Sequence, residues 1–249
     1  MRHASFRLAA AIVLLLAASV ASAQTAEEII EKSVAAMGGR GALAKIKSRS
    51  ATGAIVLSTP AGDINGSVEL LNAAPNKSRS LIKADLSALG AGQLTIDQRF
   101  DGHSGYVLDS LQGNREITGN MLDNMRNGSF PHSYLNYKDL GISVKLLGKE
   151  KAGDRDAYVL LFDPASGSEV RNFIDAETFL PIRVVVKVDI PQIGELEQTN
   201  DLLDYRDVDG VKIPFRVRAS SSVQNYTITI DKVEHNAAVD EALFAKPAQ

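Results

Sequence analysis

The cadence of turns constrains this chain most. From Ser50 onward, short runs of strand-forming residues are broken about every ten positions by turn residues. Thr59-Pro60-Ala61-Gly62-Asp63, Ala74-Pro75-Asn76, Asp101-Gly102 and Gln112-Gly113-Asn114 are such breaks. Between them lie Ile55–Leu57, Val68 and Leu70 around Glu69, Leu94 and Ile96, Tyr106–Leu108 and Arg115–Ile117. Further runs follow at Val144–Leu147, Ala157–Phe162, Glu169–Ile174, Ile182–Val188, Glu195–Tyr205, Phe215–Ala219 and Tyr226–Val233. This is the pattern of a meandering antiparallel sheet.

Two segments depart from that rhythm. Thr25-Ala26-Glu27-Glu28 fits a capping box, in which hydroxyl and carboxylate satisfy each other's backbone donors. Ile29, Ile30, Val34 and Met37 then make an apolar stripe, ended by Gly38-Gly39. A short second helical piece runs from Gly41 to Ile46. The other interruption is Asn120–Gly141, where Met121, Leu122 and Met125 have helical spacing. Thr118 or Asn120 can cap it, and Gly128 and Pro131 close it. Its methionines suit an adaptable apolar lid, and equally an ordinary packed helix.

The N-terminus predicts export. Arg2 and Arg7 precede an apolar core, Leu8–Val20, and Ala21-Ser22-Ala23 is a small-x-small cleavage site. Residues 1–23 read as a cleaved secretory signal peptide, leaving 24–249 as one domain in the periplasm. Removing Arg2 and Arg7 leaves 25 Lys+Arg against 30 Asp+Glu, a mature charge of about −5. No basic cluster points to nucleic acid. Cysteine is absent, which excludes thiolate metal sites, thiol nucleophiles and a lipidated cysteine anchor.

Arg171–Asp189 raises the question of catalysis, because Asp175 and Glu177 stand two apart. Between two strand-like runs they read as a solvated hairpin cap. A working carboxylate pair needs one member desolvated, with its pKa raised. After Pro181, the spacing predicts Ile182, Val184, Val186 and Val188 on one face, with Arg183, Val185, Lys187 and Asp189 on the other. Ala157–Phe162 and Ile182–Val186 are apolar on both faces and need cover on both. Helices can supply one cover. A bound apolar ligand under a lid, or a second filled layer, can supply the other.

Catalytic motifs are missing. His103, His132 and His235 are scattered and read as surface residues. There is no H-E-x-x-H and no G-x-S-x-G. Pro164-Ala165-Ser166-Gly167-Ser168 lacks the glycines of a nucleophile elbow and reads as a hairpin loop. No enzyme, metal or cofactor is predicted.

Several stretches together resemble the periplasmic lipoprotein-carrier superfamily, LolA/LolB-like. They are AAMGGRGALAKIKSRSATG, APNKSRS, FDGHSGYVLDS, YRDVDGVKIPFRVR and DEALFAKP, in that order along the chain. The resemblance implies a mainly β (α+β) fold: a curved antiparallel sheet forming an unclosed half-barrel, with an N-terminal helix and a helical lid over its concave face. It also implies a soluble, cofactor-free periplasmic carrier or sensor acting in outer-membrane lipoprotein sorting, which binds a lipid or a lipoprotein acyl chain. Partners would then be an acylated lipoprotein and an inner-membrane donor or outer-membrane acceptor protein, with the carrier itself a monomer. Ligand contacts expected on that basis are Met121, Leu122 and Met125 on the lid, and Val159, Leu161, Val184 and Val186 on the sheet. With the opposite face concave, Tyr158, Leu160, Phe162 and Val185 replace the sheet set. The arginine that precedes the family's Pro-Asn turn and helps latch the lid is Ala74 here, with Arg79 a nearby substitute. The alternative to a carrier is a non-catalytic envelope scaffold or stress-regulatory module with a filled core, working through an exposed sheet edge or loop.

Overall fold

The computed structural model describes residues 24–190 and 194–247, and the predicted signal peptide lies outside them. Helix α1 (Ala26–Ala36) opens with the expected capping box: the Glu28 amide donates to Thr25 Oγ1, and the Thr25 amide donates to Glu28 Oε2, both at 3.1 Å. It buries Ile29, Ile30 and Val34. Gly38 follows at φ +119°, and a Cβ there would stand 2.1 Å from the Gly210 carbonyl oxygen, so only glycine fits. Helix α2 (Gly39–Lys45) then buries Leu43.

The strands are β1 (Ser48–Thr59), β2 (Gly62–Ala73), β3 (Lys77–Asp85), β4 (Gln93–Phe100), β5 (Gly105–Asp109) and β6 (Arg115–Ile117), then helix α3 (Gly119–Arg126). After α3 come β7 (Ser143–Ala152), β8 (Arg155–Asp163), β9 (Val170–Asp175), β10 (Pro181–Ile190), β11 (Gly194–Val208), β12 (Val211–Ser220) and β13 (Asn225–His235). They form one 13-stranded sheet in the order β6-β5-β4-β3-β2-β1-β13-β12-β11-β10-β9-β8-β7. Every neighbour pair is antiparallel. Two meanders thus join where β1 meets β13, and the sheet does not close, leaving an unclosed half-barrel.

Two differences from the sequence reading have physical causes. Several strands are far longer than their apolar runs: β1 and β2 have 12 residues each and β11 has 15. Their polar and glycine positions stay extended because pairing on both sides satisfies the backbone. Strand β3 was not expected at all, since Lys77-Ser78-Arg79-Ser80 has no apolar alternation, yet it pairs with β2 and β4 over its length.

The inner face carries the main core. Helices α1 and α2 pack there with Tyr134, Tyr137, Leu160, Phe162, Ile213 and Phe215. A smaller cluster, centred on Val159, Phe173, Ile182 and Val185, lies on the outer face. Asp175 is not a solvated cap. It is 2% exposed, accepts from the Glu177 and Thr178 amides and the Thr178 hydroxyl, and meets Arg155 Nε at 2.7 Å. Burial pushes its carboxyl up, but the Thr178 hydrogen bonds and Arg155 outweigh that, and its pKa falls below the usual value. It therefore fixes the β9–β10 turn.

The C-terminal segment straps the outer face of the other meander. Ser48 Oγ donates to the Ala237 carbonyl, Lys77 pairs with Glu241, and Lys246 pairs with Glu116. Phe244 is 1% exposed. Beside this strap Asp97 is gripped by Arg79 and Arg99, each at 2.8 Å, and Arg99 Nη1 reaches the Ala245 carbonyl.

Candidate ligand cavity beneath α3

Helix α3 has 8 residues, none of them buried. Thr118 is its N-cap but makes no side-chain capping bond. So short and poorly capped a helix is marginal alone, and tertiary contacts must hold it. On one side the Ser168 amide donates to Asn124 Oδ1 at 2.6 Å, Asn124 Nδ2 donates to Ser168 Oγ at 3.2 Å, and Asn127 Nδ2 donates to the Ser166 carbonyl at 2.6 Å. These tie α3 to the β8–β9 loop. On the other side Arg126 donates twice to the His103 carbonyl, Asn76 Nδ2 donates to the Arg126 carbonyl, and the Phe130 amide donates to the Pro75 carbonyl. These tie it to the β4–β5 and β2–β3 turns. The helix is thus held at two sides by neutral hydrogen bonds and by one guanidinium on a carbonyl. The Pro164–Ser168 hairpin loop is one of its anchors. Gly167 sits at φ +88°, where a Cβ would come 2.7 Å from Asn124 Oδ1.

Arg79 does not replace the missing latch arginine. Strand alternation turns it to the outer face, where Asp97 holds it.

A cavity of about 330 Å³ opens under α3. Phe162, Val170, Val184 and Val186 line it from the sheet, Ile142 from the segment before β7, and Asn124 and Asn127 from α3 and its C-cap. The register explains which residues are brought together. Phe162 pairs with Val170, and Val170 with Val186; Leu160 pairs with Asn172, and Asn172 with Val184. Paired residues share a face, so all six are inner. Val159 and Leu161 point outward with Phe173 and Arg171. The two sets named from sequence therefore each mix faces: Val184 and Val186 are inner but Val159 and Leu161 outer, while Tyr158, Leu160 and Phe162 are inner but Val185 outer. The cause is a register shift between Pro181 and Arg183. One extra residue there puts Ile182 and Val185 in the same outer cluster, against the predicted alternation.

Of the expected lid residues, Leu122 lines a different cleft, about 340 Å³, beside Tyr106, Ile117 and Lys246. Met121 and Met125 are half-buried and line neither cavity.

Among the residues missed from sequence, Ile142 and Val170 are apolar and most of the rest are polar. Asn124, Asn127, Asn172, His132 and Ser168 all line the cavity under α3. A usable signal existed for the first two: asparagine is a poor helix former because its side chain competes for the backbone, and two within one helical turn mark side chains tied elsewhere. His132 is not a surface residue. Its Nδ1 accepts from the Tyr134 amide at 3.3 Å and its ring meets Tyr134 edge-on at 4.3 Å. Burial, reinforced by the charge of Arg49, pushes its imidazole down to about 4, so it is neutral in the wall. His235 is also enclosed, with its side chain 2% exposed between Arg49 Nε and Asp209. Arg49 stands 5.3 Å from the Phe130 ring centroid, and burial brings its guanidinium down to about 10.

Chemically this is an apolar recess with neutral polar groups at its rim. Among the described residues no group of three or more His, Cys, Asp or Glu could hold a metal ion. No helix among them is long and apolar enough to cross a membrane.

No family model matches the sequence, and no curated protein matches it. Solved structures do. A LolA superfamily protein from Nitrosomonas europaea superposes with a TM-score of 0.55 at 17% identity, over 90% of this chain and 99% of the other. A DUF1329 family protein from Desulfovibrio piger gives 0.55 at 12%, over 87% and 95%. A putative outer membrane lipoprotein-sorting protein domain from Vibrio parahaemolyticus gives 0.52 at 16%, over 88% and 95%. An open antiparallel half-barrel with helices on its inner face, matched over nearly its whole length by these proteins, is a LolA-like fold.

Proposed function

We propose that this protein is an exported, non-catalytic carrier that binds a lipid or lipoprotein acyl chain in the cavity beneath α3. Residues 1–23 would direct it to the periplasm as a cleaved signal peptide, and 24–249 would act there as a monomer without cofactor. The observation that carries the reading is the cavity: an apolar floor of Phe162, Val170, Val184 and Val186 under a helix with no buried residue. Its volume lies at the low end of ligand pockets, about 300–1,000 Å³. Each 100 Å² of acyl surface covered would contribute about 2.5 kcal/mol. A helix held by neutral hydrogen bonds and one exposed guanidinium, Arg126, can detach without stranding a buried charge, which suits loading and release. The proteins of similar fold include the Vibrio parahaemolyticus lipoprotein-sorting protein domain, which supports transfer from an inner-membrane donor to an outer-membrane acceptor as the fitting role.

The test is uptake of an apolar fluorescent probe by the protein and by Val186→Trp, which would fill the floor. The carrier reading expects uptake by the first and a loss of about tenfold or more in the second, with the same circular dichroism. Absence of uptake in both would contradict it.

One observation favours the scaffold instead. The inner face under α1 and α2 is filled by protein side chains, Tyr134 stacking on Phe162 at 5.4 Å. If the remaining cavity takes no ligand, the protein is an interaction module.

A further inference from the structure

Across the inner face at the level of the cavity, one row of residues stands in register: Leu160, Asn172, Val184, Asn200, Ala219 and Tyr226. The neighbouring row runs Phe162, Val170, Val186 and Gln198. Neither row contains a charge; Arg183, paired with Asp201 at 2.6 Å, is on the outer face, and the inner-facing Arg206 lies beyond the rows over Phe215. Polar groups in the rows are neutral amides and a phenol. Most are engaged with each other: Gln198 Nε2 donates to Asn200 Oδ1 at 2.9 Å and reaches the Tyr226 hydroxyl at 3.4 Å. Asn200 Nδ2 approaches the Val184 carbonyl at 3.5 Å.

Asn172 is the exception. It lines the cavity, flanked in register by Leu160 and Val184, and among the described residues its side chain makes no hydrogen bond. Asn172 is half-buried, so a ligand that covers its amide without accepting or donating a hydrogen bond costs free energy, and one that bonds it does not. A leucine would complete the floor, so the amide points to a ligand with a group to bond.

We infer that Asn172 is a specificity-determining contact, hydrogen-bonding an uncharged carbonyl of the bound molecule, so that the cavity selects a neutral acyl ester or amide over an alkane or a free carboxylate. This rests on the carrier reading and narrows its ligand class. The apolar floor holds the chain and Asn172 fixes its depth, because the carbonyl must reach one point of the floor. No charged side chain lines the cavity, and the inner-face guanidinium of Arg49 stands outside it against Phe130 and His235, so a carboxylate in the recess would lose hydration without a lining counter-charge.

The test is displacement of a fluorescent probe by methyl laurate, laurate at pH 8 and dodecane, from the mature protein and from Asn172→Leu. One hydrogen bond corresponds to about a tenfold preference. Methyl laurate should displace the probe about tenfold better than dodecane and better than laurate. In Asn172→Leu the ester and the alkane should come within about twofold, with dodecane no weaker than before. Equal ester and alkane binding by the unmodified protein, tighter binding of laurate, or an unchanged preference in Asn172→Leu would overturn the inference and leave the carrier reading standing. No binding of any of the three would overturn both. Should Asn172→Leu not fold, Asn172→Val carries the same comparison, and the unmodified protein's ranking alone can refute the inference.

Discussion

Single residues set two separate acid responses. Asp97 is 4% exposed. Burial raises its carboxyl pKa, but hydrogen bonds from Arg79 and Arg99 outweigh that, and the net shift is downward. Its contribution to stability is therefore full above the unfolded carboxylate value of about 3.9 and is lost as pH falls through the lower native value. Asp97→Asn should destabilise by about 3 kcal/mol at pH 7, because it leaves two largely buried guanidiniums without their anion. The gap to the unmodified protein should narrow below pH about 4, which urea titrations across pH would show. His132 works in a higher window. Its native pKa of about 4 lies below the unfolded value near 6.5, so the stability it gives is present above about 6.5 and falls away between there and 4. In His132→Gln the unfolding midpoint should vary less with pH over that interval. An equal slope in both proteins would contradict the assignment.

At the scale of elements, α3 is the part held least firmly. Asn124→Ala removes two hydrogen bonds and leaves the Ser168 amide without its acceptor. It should cost about 1–2 kcal/mol and speed amide exchange in α3 while β1 and β13 keep their protection. Gly167→Ala should act in the same direction, since it forces a strained φ and crowds Asn124 Oδ1. Uniform loss of protection across the sheet would mean that α3 is ordinary core. Much of this element structure was legible beforehand. Thr25 and Glu28 announced α1, and the Pro/Gly/Asn turns announced the meander. Strand β3 was not legible because its residues lack alternation and pairing alone extends them. The extra residue at Pro181–Arg183 was not legible either. Pro181 correctly marked the strand start, but a bulge leaves no periodic trace, and one residue of offset moved Ile182 to the outer face with Val185. The anchors at Asn124 and Asn127 were not singled out, since their partners at Ser166 and Ser168 are distant in sequence.

For the whole molecule, the open sheet has a consequence. A half-barrel whose inner face is filled at one end by α1 and α2 and roofed at the other by a lightly held helix keeps a cavity that a closed, fully packed sandwich would lose. The outer face is secured independently by the C-terminal strap across β1 to β6, so α3 can move without loosening that half of the sheet. The most direct measurement is native mass spectrometry of the mature protein, purified from an envelope fraction without detergent, together with lipid extraction of the same sample. The account predicts one acyl-bearing molecule per chain, lost in Val186→Trp. A bare mass that stays bare when lipids are offered would mean that side chains fill the cavity, and the carrier reading would be wrong.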